Sequence, residues 1–198
     1  MSTLRIVMFG QATVGKSTLI NAFINRDNNK EYEPTVEEIV KTEFFIDKKK
    51  FLINILDTSG VELFYGQRML YLNEGDAFIL VYSITEPKSL HYVINIYKNI
   101  LSSKNFKQRP TILIGMKSDL VKERKISTED GISAAKEMGI SFFEVNKFND
   151  IGIIEAFIDI LNQNIYFKIF EQSNFINTNS SNKIKINNRS DSKKCTIM

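Results

Sequence analysis

The sequence predicts an α/β protein, with a mostly parallel sheet of about six strands, one antiparallel edge strand and about five helices. Three observations predict it. Short apolar runs alternate with helix-compatible segments over the first 170 residues, the pattern of strand–helix–strand units. The runs Leu4–Phe9, Ala77–Tyr82 and Thr111–Met116 show almost no polar alternation, as strands buried on both faces do. The runs Ile39–Ile46 and Phe51–Leu56 flank Asp47-Lys48-Lys49-Lys50, which reads as an antiparallel hairpin with a charged tip.

The remaining elements follow in order. Ser17–Ile24 is the first helix, and the polar residues 25–35, ending in Glu33-Pro34-Thr35, are a surface loop. Glu62–Leu72 has an irregular helical period. Ser83–Glu86 supplies a cap before Pro87, and Lys88–Leu101 is a helix. Ser127-Thr128-Glu129-Asp130 is a helix-start signal for a helix reaching about Met138. Ser141–Val145 is the last strand and Ile153–Phe170 the last helix. In such sheets ligands sit beyond the carboxyl ends of the strands. From Gln172 the composition turns to Asn, Ser, Lys and isolated Ile without periodicity, so residues 173–194 read as a disordered linker after a domain spanning 1–172.

The totals narrow the class. The chain has 198 residues, enough for one domain, and 43% apolar content supports a sizeable core. The net charge of +3 belongs to the tail. Residues 173–198 hold Lys183, Lys185, Arg189, Lys193 and Lys194 against Asp191, which leaves 21 basic and 22 acidic residues elsewhere. Nucleic-acid binding by the body is therefore not indicated. Cys195 is the only cysteine, so no intramolecular disulfide is expected, which suits a reducing compartment. A signal peptide and a membrane-spanning helix are not expected either. His91 has no assigned role, and the Phe and Tyr residues read as packing.

Gly10-Gln11-Ala12-Thr13-Val14-Gly15-Lys16-Ser17 fits the phosphate-loop spacing, between an apolar strand and a helix. The glycines let the backbone turn and aim several N–H groups at one anion, and the helix adds its positive end. Lys16 adds a point charge for outer phosphates, and the Ser17 hydroxyl can ligate Mg²⁺.

With this loop in place, three further segments carry a resemblance. Tyr32-Glu33-Pro34-Thr35-Val36-Glu37-Glu38, Asp57-Thr58-Ser59-Gly60 and Met116-Lys117-Ser118-Asp119 resemble, in order and spacing, the first switch, the second switch and the guanine-reading motif of Ras-superfamily small GTPases, nearest the Ras and Rap group. The likeness covers roughly residues 3–170 and the last four. It implies the three-layer fold of P-loop nucleoside triphosphatases in its small G-protein form. It also implies a GTP/GDP switch with Mg²⁺, held by Ser17, Thr35 and Asp57. Nucleotide contacts are implied at Gly10 through Thr18 (Thr18 included), Tyr32, Pro34, Thr35, Asp57, Thr58, Ser59, Gly60, Met116, Lys117, Asp119, Asn146 and Lys147. Lys16, Thr35, Gly60 and Val61 are the implied catalytic positions. Thr35 can complete the metal shell and meet the γ-phosphate, and losing that phosphate releases its loop. Asp119 offers two acceptors to guanine's two N–H donors. The Lys117 stem can cover the base. The implied effector face is Tyr32, Glu33, Pro34, Thr35, Val36, Glu37, Glu38, Ile39 and Val40. With Glu31 it is acidic, which suits a basic strand edge on a partner. Effectors, exchange factors and GTPase activators are the implied partners.

The departures shape the expected chemistry. Val61 stands where most of the family has the glutamine that orients the attacking water, as it is also absent in Rap. Ala12 and Thr13 replace two glycines of Ras, and Ser59 replaces an alanine. Slow hydrolysis is expected, with a pseudo-GTPase binding scaffold as the alternative. At the base, Met116 replaces an asparagine, Asn28 replaces a phenylalanine, and Val145-Asn146-Lys147 or Asn146-Lys147-Phe148 replaces Ser-Ala-Lys. Faster nucleotide exchange than in a typical Ras follows. Cys195-Thr196-Ile197-Met198 fits a prenylation box, farnesyl by its terminal Met. One lipid chain anchors marginally, and the five upstream basic residues add attraction to anionic lipid. The expected location is the cytoplasmic face of the plasma membrane.

Overall fold

The computed structural model describes residues 3–24, 37–46, 49–58, 65–102, 109–148 and 150–190. The strands are β1 (Thr3–Phe9), β2 (Glu37–Ile46), β3 (Lys49–Thr58), β4 (Ala77–Ser83), β5 (Thr111–Met116) and β6 (Ser141–Glu144). The helices are α1 (Lys16–Phe23), α2 (Tyr65–Glu74), α3 (Pro87–Ser102), α4 (Thr128–Met138) and α5 (Asp150–Ser190), with a short 3-10 turn at Val121–Glu123.

The strands form one sheet in the order β2-β3-β1-β4-β5-β6. Only β2 runs antiparallel, along β3, and it lies at the edge. The expected architecture is present. From β1 the chain goes one way to β2 and β3, then crosses back to β4 on the other side. This reversal puts the ligand crevice of such sheets beside β1. Alternation along each strand divides the core in two. Ile6, Met8, Ile53, Ile55, Ile79, Val81, Ile112 and Ile114 face α1 and α5. Val7, Phe9, Phe78, Leu80, Tyr82 and Leu113 face α2, α3 and α4. On the first side Phe23 stacks on Phe157, with ring centroids 3.7 Å apart, and so ties α1 to α5.

Most element boundaries fall within a few residues of expectation. At α4 the Ser127 hydroxyl accepts from the Asp130 N–H at 3.0 Å, and Asp130 accepts from the Ser127 N–H at 3.1 Å. Gly139 closes that helix at φ 68°, a left-handed value that suits glycine. The hairpin strands are longer than expected, ten residues each. The backbone of α5 also departs from the sequence reading. It runs helical to Ser190 instead of ending near Phe170, through much of the segment read as a linker. No Gly or Pro stands between Glu171 and Ser190 to break it. Among the described residues no helix is long and apolar enough to cross a membrane.

The end of α2 is held from outside. Its last turn carries no basic residue. The Arg109 guanidinium, just before β5, donates to the carbonyls of Leu72 at 2.8 Å, Asn73 at 3.2 Å and Gly75. It satisfies carbonyls that a helix end leaves bare and sets a positive charge at the negative end of the dipole. Arg109→Ala should lower stability by about 1–2 kcal/mol, read from the urea midpoint at unchanged slope. An unmoved midpoint would show that the contact contributes nothing.

Candidate functional site

Residues 10–15 connect the end of β1 to α1. A side chain on Gly10 would bring its Cβ to 2.4 Å from the Val81 carbonyl oxygen, so the loop can leave the sheet here only with glycine. Gly15 is the residue before α1, at φ 111°, and no side chain caps the helix. The first turn of α1 also lacks an acidic residue. The helix N-terminus therefore presents uncapped N–H groups with no local anion competing for them. Thr13 has φ 63°. A β-branched residue at a left-handed value costs on the order of 1–3 kcal/mol, held in place by its surroundings.

The two residues after Gly15 point into the protein. Lys16 is only 6% exposed, and its ammonium donates to the carbonyls of Gly10 at 2.9 Å and Gln11 at 3.0 Å. Ser17 Oγ donates to Asp57 Oδ2 at 2.5 Å. Asp57 closes β3 beside β1, where Met8 and Asp57 are register partners, so strand pairing fixes this contact. Asp57 is 2% exposed, and its second oxygen, Oδ1, is buried with no hydrogen-bond partner among the described residues. Burial pushes the Asp57 carboxyl above the usual carboxylate range. The Ser17 hydrogen bond and the Lys16 charge oppose that push, and Glu38 adds to it. Burial lowers the Lys16 ammonium from its ordinary value, and Asp57 raises it. A buried carboxylate oxygen without a partner is costly unless a cation meets it. Hydroxyl plus carboxylate is a hard-oxygen pair of the kind Mg²⁺ takes. Among the described residues no three His, Cys, Asp or Glu side chains converge. Thr58 serves the frame, its hydroxyl donating to the Met8 carbonyl at 2.6 Å.

The second half of the site follows β5 and β6. Met116 is buried, and a Cβ on Gly15 would stand 3.1 Å from Met116 Cε. Its side chain therefore packs beneath the phosphate loop. Lys117 has φ 69°. Asp119 is exposed. The Val145 N–H donates to the Gly115 carbonyl at 2.8 Å, and the Ser118 N–H donates to the Val145 carbonyl at 3.2 Å. Val145 is buried, and Asn146 is the first residue after it to turn its side chain to the Lys117–Asp119 loop. Lys147 lies 4.9 Å from the Phe148 ring centroid.

Gly10 to Thr18, Asp57, Met116 to Asp119, Asn146 and Lys147 lie toward one edge of the sheet, where the strands β1, β3, β5 and β6 end. Tyr32, Glu33, Pro34, Thr35, Val36, Ser59, Gly60, Val61 and Cys195 lie outside the described residues, as do Asn28 and Glu31. Of the expected effector face, Glu37, Glu38, Ile39 and Val40 begin the edge strand β2, with Ile39 58% exposed and Val40 buried. Sequence reading missed three features. They are the left-handed Thr13, the Asn146–Ser118 contact at 3.1 Å, and the two-pronged ion pair of Arg124 with Glu144. The pairs join residues 28 and 20 positions apart, a relation no periodicity carries.

Comparison with known proteins agrees with this geometry. The model of the Ras family matches residues 5–166. Ras-like protein 1 of Saccharomyces cerevisiae is 36% identical over 157 residues, covering 79% of this chain and 51% of the relative. The chain spans about half the length of that relative. Strand order, phosphate loop, the Ser17–Asp57 hydrogen bond and family match together place this chain in the Ras family.

Proposed function

We propose that this chain is a GTP/GDP switch that binds guanine nucleotide with Mg²⁺, hydrolyses GTP slowly and is tethered to membrane by a lipid on Cys195. The observation that carries the reading is the buried centre where Ser17 meets Asp57 beside Lys16, with Asp57 Oδ1 left unpaired. Mg²⁺, when bound, would be held by Ser17, Asp57 and Thr35 and would neutralise phosphate charge. Lys16 has three ammonium donors, and two rest on loop carbonyls, which leaves one for a phosphate oxygen. The uncapped start of α1 adds N–H groups for the same anion. Asp119, exposed at the mouth, would accept from both N–H groups of guanine.

Hydrolysis by such a site is positioning and electrostatics. Thr35 and Gly60 amides would hold the γ-phosphate. Val61 cannot hydrogen-bond a water, so the nucleophile would lack a side-chain orienter. Met116, apolar where the family carries an amide, supports faster nucleotide exchange. Fast exchange with slow hydrolysis would leave the protein largely GTP-bound in a GTP-rich cytosol. The acidic start of β2 lies on an open sheet edge, which supports docking of a basic strand from an effector. Exchange factors and GTPase activators are further partners by family. Farnesyl on Cys195 with five basic residues before it would hold the chain on anionic lipid at the cytoplasmic face of the plasma membrane, at about 1 kcal/mol per basic residue.

Single-turnover hydrolysis of bound GTP tests the chemistry. Wild type should be slow, and Val61→Gln should accelerate it by about tenfold or more. Ras-like rates in wild type would refute slow hydrolysis, and no turnover in either protein would favour the binding scaffold. For the anchor, Cys195→Ser should move the full chain from the membrane fraction to the cytosol. A variant that stays on membranes would place the anchor elsewhere.

A further inference from the structure

Asn146 makes two hydrogen bonds of different kinds. The Phe148 backbone N–H donates to Asn146 Oδ1 at 2.8 Å. A backbone N–H can only donate, so that contact fixes which end of the amide is oxygen. The other end, Nδ2, is left to donate to Ser118 Oγ at 3.1 Å. Ser118 is thereby held twice, since its own N–H donates to the Val145 carbonyl. It stands between Lys117, which is in the left-handed region, and Asp119. A non-glycine residue keeps such a backbone only where its neighbours enforce it.

The segment is tied at its far end too. Arg124 meets both oxygens of Glu144, the last residue of β6, and Thr128 Oγ1 donates to Glu144 Oε2 at 3.2 Å. On the opposite side the link is weaker in kind. Met116 meets Gly15 through an apolar contact and has no donor to offer the phosphate loop.

We infer that Asn146 is a positioning residue for base recognition, bracing Ser118 so that Asp119 is presented to the base. The segment after β5 is anchored to the β6 side of the site instead of to the phosphate loop. This inference rests on the guanine-nucleotide reading above.

The test measures dissociation of a fluorescent GDP analogue, and of the matching inosine analogue, from the full chain. Inosine lacks the exocyclic amine, so it can use only one of the two Asp119 acceptors. Asn146→Ala should raise GDP dissociation by about five- to tenfold and shrink the preference for GDP over the inosine nucleotide. Ser118→Ala removes the same bond from its other end with the loss of one hydroxyl, and should do likewise. The double variant should be no worse than the stronger single, because both remove one interaction. A merely structural role would raise both off-rates equally and leave the preference unchanged, which would overturn the inference. So would single effects under twofold, or effects that multiply in the double variant. Wild type that retains no GDP would instead sink the guanine-nucleotide reading itself, and this inference with it.

Discussion

The Ser17–Asp57 hydrogen bond is the contact on which the site depends. It joins the first turn of α1 to the end of β3, two elements 40 residues apart, directly beside the buried Lys16 ammonium. Two opposite charges are thus kept in the protein with little solvent. Such an arrangement is destabilising when any partner is missing, and Asp57 Oδ1 has none among the described residues. A cation at Asp57 Oδ1 would offset that cost. The sheet makes that possible. Parallel pairing of β3, β1, β4, β5 and β6 brings the described loops of the site to one edge, and the Phe23–Phe157 stack fixes α1 against α5.

The two halves of the site are built differently. The phosphate half depends on backbone geometry, with Gly10 pressed against the Val81 carbonyl and Gly15 in a left-handed turn. The base half depends on side-chain bonds to β6, through Asn146 and Glu144. Between them, among the described residues, the Met116 side chain packs against Gly15. A site divided in this way can keep the phosphates while the base side loosens. That division is the physical reason to expect tight phosphate recognition and brisk exchange in one protein.

Much of the fold was legible in the sequence because burial writes itself as pattern. Thr111–Met116 has the same bounds in sequence and structure, because a strand covered on both faces is apolar throughout. Ser127 to Asp130 announced α4 because a capping box needs those residue types at that spacing. The phosphate loop, Asp57 and Lys117–Asp119 were legible because their chemistry needs particular residues at particular intervals. What stayed hidden were pairings across distance, such as Arg109 on the end of α2 or Asn146 on Ser118. Their residue types are common, and only the folded chain brings them together. The helical backbone past Phe170 was missed for another reason. Polar composition without an apolar stripe reads as unstructured, although nothing in it forbids a helix.

If the centre around Lys16, Ser17 and Asp57 holds a guanine nucleotide through a divalent cation, the nucleotide should stay with the protein only while the metal does. Extracting and identifying nucleotide from the full chain, purified once in Mg²⁺ and once in chelator, tests it most directly. About one GDP or GTP per chain is expected in Mg²⁺, with a marked loss in chelator. Adenine nucleotide, no nucleotide under either condition, or retention indifferent to the metal would contradict it.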